Sequence, residues 1–189
     1  MEKEEKSYCV FAASLPEGNI HKIYHDFHYG FMLDGDDELF GRLILEINQA
    51  GLSWDTILKK QDNFRKAYSN FKIKKIANYK EIEIDRLMND AGIIRNLLKI
   101  NAAIYNAQQI LKIQKEFGSF QNWLIDNHPQ DKKGWVKLFK SKFKFVGGEI
   151  VNEFLMSIGM LKGAHSESCI IYKKQLKSKP LFLSCLRDY

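Results

Sequence analysis

The sequence predicts an all-α protein, and three observations carry that prediction. Apolar residues recur at helical spacing in one segment after another. No segment shows the apolar–polar alternation of a half-buried strand. The three prolines, Pro16, Pro129 and Pro180, all fall in stretches that read as loops. At 189 residues the chain is long enough for one domain, or two tightly fused subdomains, whose core needs no staples.

Each element has its own signal. From Asp36 to Gln49 the apolar residues Leu39, Phe40, Leu43, Ile44 and Ile47 form a helical stripe. It opens with acidic residues, which suit the positive pole of a helix N-terminus. Trp54 to Tyr68 repeats the pattern through Ile57, Leu58 and Phe64. A short helix is expected around Glu83 to Asn89, ending near Gly92. A long one runs from Asn96 to Phe117, with Leu97, Ile100, Ile104, Ala107 and Leu111 on one face. Trp135 to Lys140 and Glu149 to Gly159 supply two more. The tail after Tyr172 is basic and weakly patterned, so it is expected to be partly loose. There is no internal repeat and no low-complexity tract.

Composition narrows the class of partner. The formal charge is +6 and the isoelectric point about 9.1, which suits an anionic partner without naming it. No stretch reaches the length of a membrane span, and Met1-Glu2-Lys3-Glu4-Glu5-Lys6 lacks the apolar core of a signal peptide, so a cytoplasmic protein with no membrane partner is expected. Cys9, Cys169 and Cys185 are an odd, sparse set. That argues against a disulfide framework and leaves metal binding open.

Three constellations carry possible chemistry. The first is Leu45-Glu46-Ile47-Asn48-Gln49-Ala50-Gly51-Leu52-Ser53-Trp54. At 100° per residue Glu46 falls beside Leu39, Leu43 and Ala50, on the edge of the apolar stripe. An edge glutamate paired with a lysine or arginine satisfies this placement; so does a carboxylate lining a pocket. The second is Lys142-Phe143-Lys144-Phe145-Val146-Gly147-Gly148, between two predicted helices. A Gly-bearing turn at a helix N-terminus presents N–H groups to an anion, and Lys140, Lys142 and Lys144 add attraction. A plain corner with surface lysines fits the same spacing. The third is His165 with Cys169, which face one way on a helical turn. Cys9 and His25 are the distant candidates for completing a tetrahedral site; a buried thiol beside an ordinary histidine is the alternative.

These segments resemble the DNA-3-methyladenine glycosylase I family. Tyr24-His25-Asp26 followed by Gly30 is similar to its N-terminal block. Gln49 to Trp54 matches its most specific stretch without a gap, and Ile57-Leu58-Lys59-Lys60 with Phe64-Arg65 continues it. Asp90-Ala91-Gly92-Ile93-Ile94-Arg95-Asn96 with Lys99-Ile100, and Phe143-Lys144-Phe145-Val146-Gly147, are further matches. Together the blocks span about residues 9–172, leaving residues 173–189 as a basic tail.

The resemblance implies a helix-hairpin-helix glycosylase fold, a single domain over 1–189, acting as a monomer on alkylated double-stranded DNA. It implies a monofunctional hydrolase for the N-glycosidic bond of 3-methyladenine in base-excision repair, with the base flipped into the enzyme and released free. Glu46 would hydrogen-bond the base and carry the catalysis. Trp54 would stack on the base and Tyr24 lie beside it, with Phe11 and Tyr29 as further rings. The hairpin with Lys142, Lys144 and Gly147 would grip the DNA backbone without reading sequence. Cys9, His25, His165 and Cys169 would hold a structural Zn2+ joining the two ends of the chain; His21, His28 and Cys185 fall off those positions. Gly51 and Leu52, at the turn, are our choice for the element that fills the space the flipped base leaves.

The chain departs from the family pattern at Ile47 (usually Gly), Tyr29 (usually Trp) and Phe11 (usually Trp). A branched Ile47 beside the pocket would narrow it. No lysine is placed for a Schiff base, and Leu161-Lys162-Gly163-Ala164 holds no carboxylate where larger relatives carry an Asp. Two rival classes remain: a non-enzymatic helical module that binds DNA shape or lesions, and a zinc-stapled protein-interaction domain.

Overall fold

The computed structural model describes residues 7–186, with side chains through residue 183. The chain runs through α1 (Tyr8–Ala13), α2 (Ile20–Phe27), α3 (Asp36–Gln49), α4 (Trp54–Ala67), α5 (Ile73–Ile76), α6 (Glu81–Asn89), α7 (Leu97–Phe117), α8 (Phe120–Asp126), α9 (Lys132–Lys142), α10 (Gly148–Ser157) and α11 (Ile170–Lys177). No strand occurs among the described residues, as the patterning predicts. Two compact units form. The central one is Leu33–Phe154; the terminal one is built from the chain up to Met32 and from Leu155 onward.

In the central unit the α3 stripe is buried as expected: Leu39, Phe40, Leu43, Ile44 and Ile47 are all sealed from solvent. Each acidic residue in its first turn has a separate task. Asp36 accepts hydrogen bonds from the Phe120 and Gln121 amides, at 2.7 and 3.1 Å, anchoring the start of α8. Asp37 accepts from the Ile73 amide at 2.9 Å, anchoring α5. Glu38 takes a bidentate pair from Arg65 of α4 at 2.9 and 2.6 Å. Gly41 is required by packing, because a Cβ there would lie 2.4 Å from the Phe71 ring.

Helix α7 is buried over more of its circumference than one face. Ala102, Ala103, Asn106 and Ile110 join Ile100, Ile104 and Ala107 in the interior. Leu97, expected on the buried face, is 47% exposed. Phe120, Trp123, Trp135, Phe139, Phe143 and Phe154 complete the core as one aromatic cluster, with neighbouring centroids 5.4–6.4 Å apart.

The terminal unit corrects the expectation of a loose tail. Residues 170–177 form α11, whose buried Gln175 donates to the Gly30 carbonyl at 2.9 Å. A 3-10 turn follows at Leu181–Leu186, and Phe182 is buried. The side chain of Cys185 and residues 187–189 lie outside the described residues. Helices α1, α2, α5, α8 and α11 carry no prediction from periodicity. Their lengths, four to eight residues, leave too few turns for a stripe to show.

Candidate functional site

Helix α3 ends at a turn that only glycine adopts without strain: Gly51 has φ +83°. The Leu52 amide closes the turn on the Gln49 carbonyl at 2.7 Å. Leu52 is 41% exposed, and Trp54 then opens α4 half-buried behind a Ser53 cap. Beside the turn lies a hollow of about 470 Å3. Its walls are Glu46, Gln49, Ala50, Gly51 and Leu52 on one side and Gly147, Gly148, Glu149, Ile150 and Glu153 on the other. Trp54 is not among the lining residues. Two other hollows of similar size, at Lys66–Arg86 and at Gly35–Gln121, are lined by different residues and contain no buried carboxylate of this kind.

Glu46 is only 4% exposed, yet among the described residues nothing donates a hydrogen bond to its carboxyl and no ion pair reaches it. Burial is the main influence on it. Arg42 attracts the carboxylate form, Glu153 opposes it, and the outcome is a pKa raised to about 8. The edge-glutamate reading, with a lysine or arginine in contact, therefore does not describe this side chain. Ile47 is 1% exposed and packs in the core, away from the hollow. The narrowing expected of it is absent, because the residue next to Glu46 on a helix points about 100° away.

The hairpin between α9 and α10 is held from behind. The Asn106 side chain, fully buried, donates to the Lys144 carbonyl at 3.1 Å and accepts from the Lys144 amide at 2.8 Å. Phe145 then takes a left-handed conformation, φ +60°, and is 39% exposed. The Lys144 ammonium lies 4.4 Å from the centre of the Tyr105 ring, and Lys142 is half-exposed at the end of α9. The Gly147 carbonyl accepts from the Val151 amide at 3.0 Å, starting α10, and space beside the Gly147 Cα is open.

In the terminal unit Cys9, His25, His165 and Cys169 converge, with their ligand atoms all within 4.8 Å of one another. His165 Nδ1 is 3.2 Å from His25 Nε2 and 3.9 Å from both sulfurs; Cys169 Sγ is 3.7 Å from His25 Nε2. A tetrahedral zinc with bonds of about 2.3 Å to sulfur and about 2.0 Å to nitrogen sets its ligand atoms roughly 3.3–3.8 Å apart, so the donor set fits. The tautomers agree. His25 Nδ1 bonds the Asp26 carboxylate at 2.6 Å and His165 Nε2 bonds the Tyr29 carbonyl at 2.8 Å. Both partners are acceptors, so each proton sits on the outer nitrogen. Two ring lone pairs then face each other at 3.2 Å, which is unfavourable without a cation between them. Burial lowers the pKa of His165 and raises that of Cys169, so neither charges readily by itself. This group can hold a metal ion, and it leaves no position open for substrate.

Around it the rings of Tyr8, Phe11, Tyr24 and Tyr29 gather. Tyr24 and Tyr29 centroids are 5.6 Å apart, and Tyr8 lies 5.8–6.4 Å from the other three. Tyr24 and Tyr29 are buried, and Phe11 is 43% exposed. His21 is outside the metal group and shares a 3.2 Å hydrogen bond with Tyr8.

The family model described as methyladenine glycosylase matches residues 16–135. DNA-3-methyladenine glycosylase 1 of Escherichia coli (strain K12) is 34% identical over 168 residues, covering 79% of this chain and 89% of its own. The chain belongs to the methyladenine glycosylase family. The DNA-3-methyladenine glycosylase of Haemophilus influenzae is 31% identical, over 81% of this chain and 92% of its own. A solved tyrosine-to-phenylalanine variant of 3-methyladenine DNA glycosylase I, in complex with 3-methyladenine, superimposes with a TM-score of 0.76 at 30% identity. It covers 87% of this chain and 96% of that one.

In this methyladenine glycosylase, three residues at the hollow and hairpin receive no role from the sequence: Lys99, which enters only within a family-like block, Asn106 and Glu153. The first two had a signal. They are polar residues inside the apolar arc of a long helix, where each needs a buried partner. Glu153 follows Glu149 and Ile150 at four and three residues, so one helical face brings all three to the hollow.

Proposed function

We propose that the hollow beside Glu46 receives the 3-methyladenine base that this glycosylase excises from alkylated double-stranded DNA. The observation that carries the reading is a carboxyl sealed from solvent, without a hydrogen-bond donor among the described residues, facing a cavity. Such a group is costly to bury, and a flipped cationic base supplies both the missing donor, its exocyclic amine, and the missing charge. A positive charge beside Glu46 draws off its proton, so the cationic guest favours the carboxylate. Neutral adenine gives no such return.

N3-methylation leaves the base positively charged while it is joined to the sugar, so it departs readily. The C1′–N9 bond breaks and the base leaves neutral. A bond forms between C1′ and a water oxygen, and the water gives up a proton. Little general-acid help is required. The hairpin at Lys142, Lys144 and Gly147 supplies phosphate contacts. Leu52, exposed at the Gly51 turn, fills the place of the flipped nucleotide. Trp54, at the start of α4 just beyond the Gly51 turn, is the proposed stacking partner of the base. Zinc in the Cys9, His25, His165 and Cys169 group is structural, since all four donors are protein atoms. The enzyme is expected to work as a monomer in the cytoplasm.

Release of free 3-methyladenine from methylated duplex tests this reading. The wild-type protein should release it, and Glu46→Gln should slow single-turnover release at least tenfold with helical content and affinity for undamaged duplex preserved. Tight lesion binding without release would instead identify a non-enzymatic binding module.

A further inference from the structure

Lys99 is an ammonium in a place that electrostatics disfavours. It sits in the first turn of α7, at the positive pole of that helix, and it is 4% exposed. No carboxylate pairs with it among the described residues, and burial lowers its pKa. Its contacts are carbonyl oxygens instead. Nζ donates to Asn48 O at 2.9 Å and to Ala50 O at 2.8 Å, the last turn of α3, where helix dipole and unsatisfied carbonyls both favour a cation. Nζ also lies 5.8 Å from the centre of the Phe145 ring, on the α9–α10 hairpin. One side chain thus touches both structures that wall the hollow, Gln49–Leu52 and the run from the hairpin to Glu153.

We propose that Lys99 is a positioning residue of the excision reaction: its ammonium fixes the turn bearing Gly51 and Leu52 against the hairpin and so sets the width of the base hollow. The proposal rests on the reading of the hollow as the base site. Without the ammonium, two carbonyls at the end of α3 lose their donor, and the turn keeps only its local backbone hydrogen bonds, Leu52 N–H to Gln49 O and Ala50 N–H to Ile47 O.

The test compares wild type with Lys99→Met, Lys99→Gln and Lys99→Arg on a duplex carrying 3-methyladenine. Lys99→Met keeps the length and apolar stem and removes the charge. It should lower single-turnover excision at least tenfold and speed hydrogen exchange at the Leu52 amide. Affinity for undamaged duplex should change less than threefold. The slope of that affinity against salt should be unchanged, because a buried Lys99 is not placed to meet phosphate. Lys99→Arg, which retains donors and charge, should recover most of the rate. Lys99→Gln can still donate to one carbonyl and covers the case in which the methionine variant does not fold; it should show the same split. Wild-type excision in both neutral variants overturns the proposal and leaves the base site standing. A reduced salt slope overturns it in favour of a phosphate contact. Failure of the wild type itself to release 3-methyladenine removes the base-site reading.

Discussion

Glu46 carries two consequences that a surface carboxylate would not. The first is a dependence of stability on pH with an unusual sign. The folded protein keeps Glu46 protonated up to about pH 8, whereas the unfolded chain ionises it from about 4.5. Between those values the unfolded state binds fewer protons, so rising pH favours unfolding by up to roughly 1.4 kcal/mol per pH unit. Glu46→Gln has no proton to lose. Urea titrations at pH 5, 6, 7 and 8 should therefore show the variant gaining on the wild type at each step and levelling beyond pH 8; a constant difference would mean that Glu46 is already ionised in the fold. The second consequence is kinetic. A cationic base must displace the Glu46 proton, so single-turnover excision by the wild type should rise from pH 6 to pH 8, and the rise should be lost in Glu46→Gln. Asp26 offers a further residue-scale expectation. It fixes the ring of His25 through a 2.6 Å bond, and Asp26→Ala should weaken zinc binding about 10- to 100-fold in a chelator competition, leaving the four ligands in place.

At the scale of elements, the α9–α10 hairpin separates what the sequence can disclose from what it cannot. Its glycines and lysines stand out in the chain, and so does the flanking pair of helices. The support behind it does not: Asn106 lies 38 positions from Lys144 and reads as one more polar residue on a long helix. The α3–α4 turn behaves likewise. Gly51 is plain in the sequence, while Lys99 holds the turn from 51 and 49 positions away. Periodicity reports which face is buried, not which distant group a buried polar atom meets. Lys144→Glu should weaken binding to all duplex sequences alike and reduce the salt slope by about one or more, read by fluorescence anisotropy at several salt concentrations; an unchanged slope would remove the hairpin as the backbone grip.

For the whole molecule, the fold class and the long helices α3, α4 and α7 were legible because their apolar stripes run through three turns or more. The convergence of Cys9 and His25 with His165 and Cys169 was not legible from spacing, since 156 positions separate Cys9 from His165; only family likeness connected them. A metal held by these four residues would tie α1, α2 and the start of α11 together, because cross-linking distant ends removes freedom chiefly from the unfolded chain. Cys169→Ser should lower both the metal content, by elemental analysis, and the melting temperature. Wild-type stability in metal-free protein would show that the four residues are not a metal tie. No helix among the described residues is long and apolar enough to cross a membrane.

A unit assembled from both extremes of the chain also imposes an order of events on biosynthesis. Translation delivers residues from one end to the other, so the residues of Leu33–Phe154 have all been synthesised before His165 and Cys169. The hollow and hairpin have their full complement of side chains at that stage, while Cys9 and His25 wait for their partners. The four-residue Cys/His group can then assemble only after the central unit has been made. A released chain truncated at Gly163 should already protect α3 and α7 from proteolysis, and extension through Cys169 should be what adds protection to α1 and α2.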